Sequence, residues 1–435
     1  WNTFPSGSIG WRASEESFLK QFEWLSNLKI RASYGITGNN KIPQYAYLNS
    51  INTSNYALGS GNGALISGMA SNSPYLGNED LTWERISEAN YGIDLGFFNS
   101  RLNLSAEYYN SNTIQMLLLQ PAMLITGHQS SWNNIGLVNN KGWEFELTTT
   151  NIVTKDFTWK TSANLSTNKN TLLNYGNKEK EDNFGERNEV YRAIVGQPAI
   201  QYYGYKTDGV WTTFEEVAAA KALTDADGNL FTYTKFAPIV GGLKVVNTNG
   251  DNKIDTDDRV ILGDPLPDFT WGLTNSFNYK NFDLTILIQG IQGIELINGN
   301  VNYNEQLRFN KAYTKNRYVS PMFPGDGKTV YSTTTAGSDL MLTDYCIEDG
   351  SYAAIRDVTF GYKIPVNLVK KMKISDVRLY FSGQNLVYLM ASDYRGINPE
   401  ARKITSQYAS PLIDGYQRGA FPLNKTFTIG LDLTF

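Results

Sequence analysis

The chain has 435 residues, a formal net charge of -4 and 41% hydrophobic residues, and its 13% aromatic content includes 27 Tyr and 9 Trp. That mildly acidic balance, with no basic run, excludes a phosphate-binding footprint for nucleic acid. No stretch approaches the roughly 20 uninterrupted apolar residues of a membrane helix, so strands of about 9–11 alternating residues are the only membrane-spanning reading left.

Strand-like alternation recurs about eleven times, near 3–11, 27–37, 83–97, 101–117, 135–150, 156–169, 268–279, 282–294, 351–363, 376–389 and 425–435. Leu102, Leu104, Ala106 and Tyr108 oppose Asn103, Ser105, Glu107 and Tyr109, because successive strand side chains leave on opposite faces. Phe157, Trp159, Ala163 and Leu165 oppose Thr158, Lys160, Ser162 and Asn164 in the same way. Only Ala13 to Leu28 departs from this period. Phe18, Phe22, Trp24 and Leu25 recur there at near-helical spacing, which suits a short amphipathic helix or an irregular connector.

The connections alternate between short and long. Asn99-Ser100, Asn151 to Lys155, Lys280-Asn281 and Ile364 to Ser375 are short, whereas 38–82, 118–134, 170–267, 295–350 and 390–424 are long and rich in Gly, Asn, Asp, Thr and Tyr. Loops this long on every second connection are foreign to soluble domains and routine in outer-membrane barrels, which have short periplasmic turns and long outer loops. The chain closes on the same pattern: Phe427, Ile429, Leu431, Leu433 and Phe435 point one way, and Thr426, Thr428, Gly430, Asp432 and Thr434 the other. One face suits lipid and the other a wet lumen. The expected fold is therefore all-β, a transmembrane antiparallel up-and-down barrel wall whose long regions 170–267 and 295–350 lie outside the cell. Eleven strands cannot close an ordinary bacterial barrel of even strand number, and open edges cannot face lipid. A chain that starts at Trp1, without initiator methionine or secretion signal, is expected to be processed or part of a longer polypeptide.

Several phrases, read in order, resemble the carboxyl-terminal half of the barrel of SusC/RagA-type TonB-dependent outer-membrane transporters of Bacteroidota. They are Leu28 to Asn39, Leu81 to Glu84, Asn90 to Gly96, Arg101 to Leu104, Asn134 to Leu147, Asn247 to Gly263, Gly383 to Leu386, Asn398-Pro-Glu400 and the terminal strand. The resemblance implies nutrient import through a 22-stranded barrel, of which this chain would supply half. It also implies an amino-terminal plug and a TonB-contacting segment, neither of which can be located in this chain. A SusD-like surface lipoprotein would form a lid over the outer mouth, with oligosaccharides or oligopeptides as substrates. The other readings are a passive porin or structural barrel, and a secreted β-protein that binds glycans.

Three groups of residues are candidate sites. Trp132, Tyr202, Tyr203, Tyr205, Trp211, Tyr303, Tyr313, Tyr318 and Tyr394 lie in the long connections, where flat aromatic faces can stack on sugars or peptide side chains, or simply hold the loops together. Asn247, Asn249, Asp251, Lys253 through its carbonyl, Asp255 and Asp258 fall at positions 1, 3, 5, 7, 9 and 12 of a calcium-type loop. Asn252 stands where that loop needs its turn glycine, so a turn knitted by Asx hydrogen bonds and capped by Arg259 is the competing reading. Asp339, Asp344, Glu348 and Asp349 are an acidic stretch with no sign of the convergence that glycoside hydrolysis requires. The one cysteine, Cys346, precludes an internal disulfide, and the one histidine, His128, reads as a polar loop residue. No enzyme activity and no required cofactor are expected, a structural Ca²⁺ being the one candidate ion.

Overall fold

The computed structural model of the chain describes residues 2–41, 44–49, 52–58, 64–70, 75–176, 179–184, 189–225, 227–299, 316–329, 340, 343–369, 374–401, 413–417 and 419–434. Its main feature is an antiparallel wall of eleven strands whose spatial order is their order in the chain. They are β1 (Ser6–Arg12), β2 (Leu25–Asn39), β3 (Glu84–Phe97), β4 (Leu102–Pro121), β5 (Ser130–Val153), β6 (Phe157–Ser166), β7 (Phe269–Tyr279), β8 (Phe282–Gln292), β9 (Tyr352–Lys363), β10 (Asp376–Met390) and β11 (Thr426–Thr434). The wall does not close on itself, because β1 and β11 each pair on one side only. Among the described residues no helix is long and apolar enough to cross a membrane.

The register converts the alternation into two continuous surfaces. Leu28, Leu95, Leu104, Leu147, Ala163, Leu273, Ile288, Ile355 and Val387 stand side by side across nine strands. One position along, on the other face, the row reads Lys29, Asp94, Ser105, Glu146, Asn164, Gly272, Gln289, Ala354 and Tyr388. Aromatic belts flank the apolar rows. Tyr91, Tyr108 and Trp143 form one, and Trp159, Phe277, Phe360 and Phe381 mark the other. On β5 the belts lie about nine residues apart, roughly 30 Å of strand at 3.3 Å per residue, and a tilt of about 40° reduces that to nearly the 25 Å of an outer-membrane apolar band.

The structure decides between the two readings of Ala13 to Leu28 in favour of the irregular connector, and it corrects one other expectation. The segment Ala13 to Leu28 contains a single 3-10 turn, Ala13–Glu15, followed by isolated turns rather than an amphipathic helix. Its last four residues are captured by the sheet, since Leu25 to Leu28 already pair with Phe97 to Leu95. Nor is 118–134 a long loop: β4 runs to Pro121, β5 starts at Ser130, and only a short connection with a 3-10 turn at Leu124–Thr126 joins them. At 20 and 24 residues these strands are far longer than a bilayer requires, so the hairpin stands well clear of the belts.

The remaining long connections are folded. Strand Lys169–Tyr175 continues β6 along the upper part of β5. Strands Glu179–Phe184, Glu189–Ile194, Gln201–Tyr205 and Arg259–Gly263 make a four-stranded sheet, and Ile347–Asp349, Glu295–Asn298 and Tyr416–Gln417 make a three-stranded one. One two-turn helix, α1 (Phe214–Lys221), was not foreseen, although its signal is in the sequence. Thr213 accepts from the Glu216 amide and Glu216 reaches back, a capping box ahead of Val217 and Ala220. The buried core lies in this outer body rather than in the wall. Tyr191, Tyr202, Val210, Leu243, Ile297, Leu340, Cys346, Ile413 and Tyr416 form one cluster, and Met116, Leu118, Val138, Leu172, Tyr175, Ala193 and Ala199 weld the tall hairpin to it.

Candidate functional site

The polar face of the wall places its charges in local sets. Arg31 reaches Asp94 at 3.3 Å, Ser105 at 3.2 Å and Glu107, thereby linking β2, β3 and β4. At the opposite end of the wall Arg378 bridges Asp283 at 2.6 Å and Asp432 at 3.1 Å. Arg356, at an irregularity in the β9 ladder, grips Glu400 of the Asn398-Pro-Glu400 phrase as well as Tyr388 and Asn385, which ties the last long connection to the wall.

The structure separates the aromatic candidates. Tyr202 is buried, donates to the Glu295 carbonyl at 2.9 Å and meets Tyr191 edge to face. Tyr205 packs on Phe236, Tyr318 is buried, and Tyr394 donates to Gln417 Oε1 at 2.7 Å inside the loop core. These four rings therefore hold the outer body together, and burial pushes the Tyr394 hydroxyl far above its ordinary titration range. Three candidates keep surface. Tyr203 lies between the Arg192 and Arg259 guanidinium groups, 4.2 and 4.9 Å from its ring centre. The Trp211 ring carries Lys244 Nζ at 5.1 Å, and Trp132 lies opposite Leu119 on the tall hairpin. The indole N–H groups of Trp211 and Trp132 are covered without a hydrogen-bond acceptor among the described residues. Tyr303, Tyr313 and Asp339 lie outside the described residues, as does Phe435, while Phe427, Ile429, Leu431 and Leu433 expose their side chains along β11.

Carboxylates beneath these rings are structural in their contacts. Glu348 is 3% exposed and bound by Arg395 Nε at 2.8 Å, the Arg395 amide and Asn298 Nδ2. Asp344 accepts from the amide and hydroxyl of Thr207, and Asp349 from the Ser351 amide. Glu216, held by the Thr212 amide and by Lys244, is pulled down to about 2. Asp264 and Glu295 move the other way, raised first by burial and then by neighbouring carboxylates.

The calcium-type loop makes its own hydrogen bonds. Asn247 Oδ1 accepts from the Gly250 amide at 2.7 Å, Asp251 Oδ1 from the Lys253 amide, and buried Asp258 from the amides of Thr248 and Asp255. The left-handed residue is Gly250, at φ 75, and not Asn252, so the sharp turn falls two positions before the place an EF-hand loop needs it. Lys253 Nζ lies 2.5 Å from Asp255 Oδ2 and 4.0 Å from Asp251 Oδ2, so two of the candidate ligands are engaged by an ammonium. Arg259 caps the preceding turn through the Thr256 carbonyl. Among the described residues no group of three or more His, Cys, Asp or Glu is arranged to hold a metal.

An open antiparallel wall with one apolar and one charged face, belted by aromatic rings and crowned by long folded connections, defines a β-barrel of the outer-membrane type. Residues 1–386 match the family profile described as TonB dependent receptor-like, beta-barrel, and the chain belongs to that family. It is 33% identical to TonB-dependent receptor P26 of Formosa agariphila over 99% of this chain and 42% of that protein. It is 28% identical to TonB-dependent receptor SusC of Bacteroides thetaiotaomicron, over 100% of this chain and 40% of the relative. The fold matches a solved structure of the RagAB peptide transporter with a TM-score of 0.73 at 21% identity, covering 99% of this chain and 43% of that one. The chain thus spans about two fifths of the length of these relatives. The family comprises transporters and receptors, not enzymes, and its SusC and RagA-like members are outer-membrane proteins.

Proposed function

We propose that this chain forms the carboxyl-terminal part of the wall and outer body of an outer-membrane active importer that takes up oligosaccharides or oligopeptides. The observation that carries the reading is the pairing of a continuous apolar face with a charged one beneath a folded outer body. Likeness to SusC and to the RagAB peptide transporter supports it. Substrate would be captured between the outer connections and a SusD-like surface lipoprotein. Release into the lumen would follow when TonB pulls on a plug supplied elsewhere in the longer protein. Among the described aromatic candidates, Trp132, Tyr203 and Trp211 are best placed to touch substrate, since they are only partly buried.

The test is to purify the native complex in detergent and to identify by intact mass what accompanies this sequence. A polypeptide roughly twice as long that carries a plug, together with a co-purifying lipoprotein, is the expected result. A lone barrel without either would establish a passive porin instead, and a protein that stays in the aqueous phase without detergent would overturn both.

A further inference from the structure

The outward rows above the upper aromatic belt carry a feature that import does not use. The belt row on β3, β4 and β5 is Tyr91, Tyr108 and Trp143, with Tyr108 and Trp143 ring centres 5.1 Å apart. One row higher, on the same face, stand Tyr34, Ala89, Asn110, Lys141 and Lys169. The row after that reads Ile36, Ser87, Asn112, Asn139 and Thr171, and the next brings Arg85 beside Ile114. Lys141 and Lys169 are direct register partners on neighbouring strands, both exposed, and neither forms an ion pair among the described residues.

No Asp or Glu falls on this face in these rows. The nearest acids, Glu88 at this height and Glu107 and Glu144 just below the belt row, occupy the alternate positions and so the opposite face. Asn139 Nδ2 bonds Asn110 Oδ1 at 2.6 Å and Asn112 Oδ1 at 2.9 Å, which sets the amides in one layer, and Arg85 Nη2 is anchored on Gln115 Oε1 at 2.9 Å. Below the belt the same face is apolar, with Ile30, Ile93, Ala106, Phe145 and Leu165 in register. Farther round the wall that apolar row continues as Trp271, Gly290, Ala353 and Leu389, and the β7–β8 ladder ends one same-face pair higher, at Phe269 and Gln292, with no base. The basic strip is therefore local.

Aromatic belts lie at the level of lipid headgroups, and lysines just beyond them lay their stems on the apolar surface and lift their ammonium groups into the phosphate layer. A ligand matched to this face carries acyl chains, phosphate, and then hydroxyls, in that order upward. We propose that the outward face of β3, β4, β5 and Lys169–Tyr175 binds an outer-leaflet phosphoglycolipid of the lipid A type, with phosphate on Lys141 and Lys169 and sugar hydroxyls on the Ser87, Asn112, Asn139 and Thr171 row. This rests on the outer-membrane reading above.

The experiment uses the full-length protein in detergent micelles, titrated with diphosphoryl lipid A and followed by native mass spectrometry. Lys141→Gln with Lys169→Gln is expected to weaken binding about 10- to 30-fold, at the usual worth of two lysines near a charged surface. Lys141→Arg with Lys169→Arg should bind within about threefold of wild type, because it keeps both charges. Dephosphorylated lipid A should bind wild type as poorly as diphosphoryl lipid A binds the glutamine double variant. Equal binding by that variant, or by the dephosphorylated lipid, would overturn the proposal. Displacement by inorganic phosphate alone at the lipid's own affinity would reassign the site to a free anion. If the double variant does not fold, each single glutamine variant should still bind about three- to fivefold more weakly. Density fractionation of cells separates the two levels: a protein absent from the outer membrane sinks the localisation, whereas one present there without lipid preference sinks only this site.

Discussion

Arg395→Met offers the sharpest test of how the outer body is held. Arg395 donates to Glu348 through Nε at 2.8 Å and to the Tyr345 carbonyl through Nη2, and its guanidinium covers the Tyr345 ring at 4.8 Å. Glu348 is almost wholly buried, and without the guanidinium its charge would be left, among the described residues, with the Arg395 amide and Asn298 Nδ2. Removing one partner of a buried ion pair costs about 3–5 kcal/mol, because the remaining charge stays desolvated. Glu348 sits opposite Leu296 in the central strand of the three-stranded sheet, so the cost should appear as local opening there. At about 1.4 kcal/mol per factor of ten, amides of Glu295–Asn298 should exchange with solvent roughly 10²- to 10³-fold faster. Hydrogen exchange on the detergent-solubilised protein measures this directly. The double variant Arg395→Met with Glu348→Gln should recover much of the protection, since the stranded charge is gone. Unchanged exchange in the single variant would refute the assignment of this pair as the clamp.

Protonation should tighten the joint between wall and outer body. Asp264 and Glu295 have raised values in the fold, so the native state binds their protons more strongly than the unfolded chain does. Their contribution is fully present below the ordinary carboxylate value of about 4 and is lost as pH rises through the raised native values. Glu295→Gln should flatten that pH dependence in limited proteolysis, and an unaltered profile would remove Glu295 as its source. Leu273→Lys, on the apolar face, should cost about 2–4 kcal/mol and lower outer-membrane levels, while Thr274→Lys on the polar face should be tolerated; equal effects would contradict the face assignment. Asp251→Ala with Asp255→Ala should lower the melting temperature equally with calcium and with chelator, because Lys253 already pairs with Asp255 and lies within 4.0 Å of Asp251. A loss seen only with calcium would instead make the loop a metal site.

The arrangement of the wall was legible from the residues alone. Period-two alternation on eleven segments, with short and long connections in turn, anticipates eleven antiparallel strands in chain order, because a one-residue slip would move a whole strand's apolar set to the wrong face. Boundaries failed where two signals competed. Leu25 to Leu28 carried helical spacing but were taken by the β3 ladder, and 118–134 looked like a loop although its residues complete a hairpin that stands above the belts.

The outer body was not legible, since its core joins residues far apart in the chain, such as Tyr202 with Ile297 and Tyr416, and no local period records such contacts. Hence the sequence could name the aromatic candidates without sorting them. Only the tertiary structure shows Tyr202, Tyr205 and Tyr394 consumed as core while Tyr203 and Trp211 keep surface. The calcium-type loop divides the same way: its residue types are those of a cation loop, but the position of the left-handed glycine and the reach of Lys253 are decided by the folded backbone. Sequence determined which face of each strand is apolar, because that follows from side chains two residues apart; what those faces meet, and which charges remain unpaired, depends on register between strands and could be decided only by the fold.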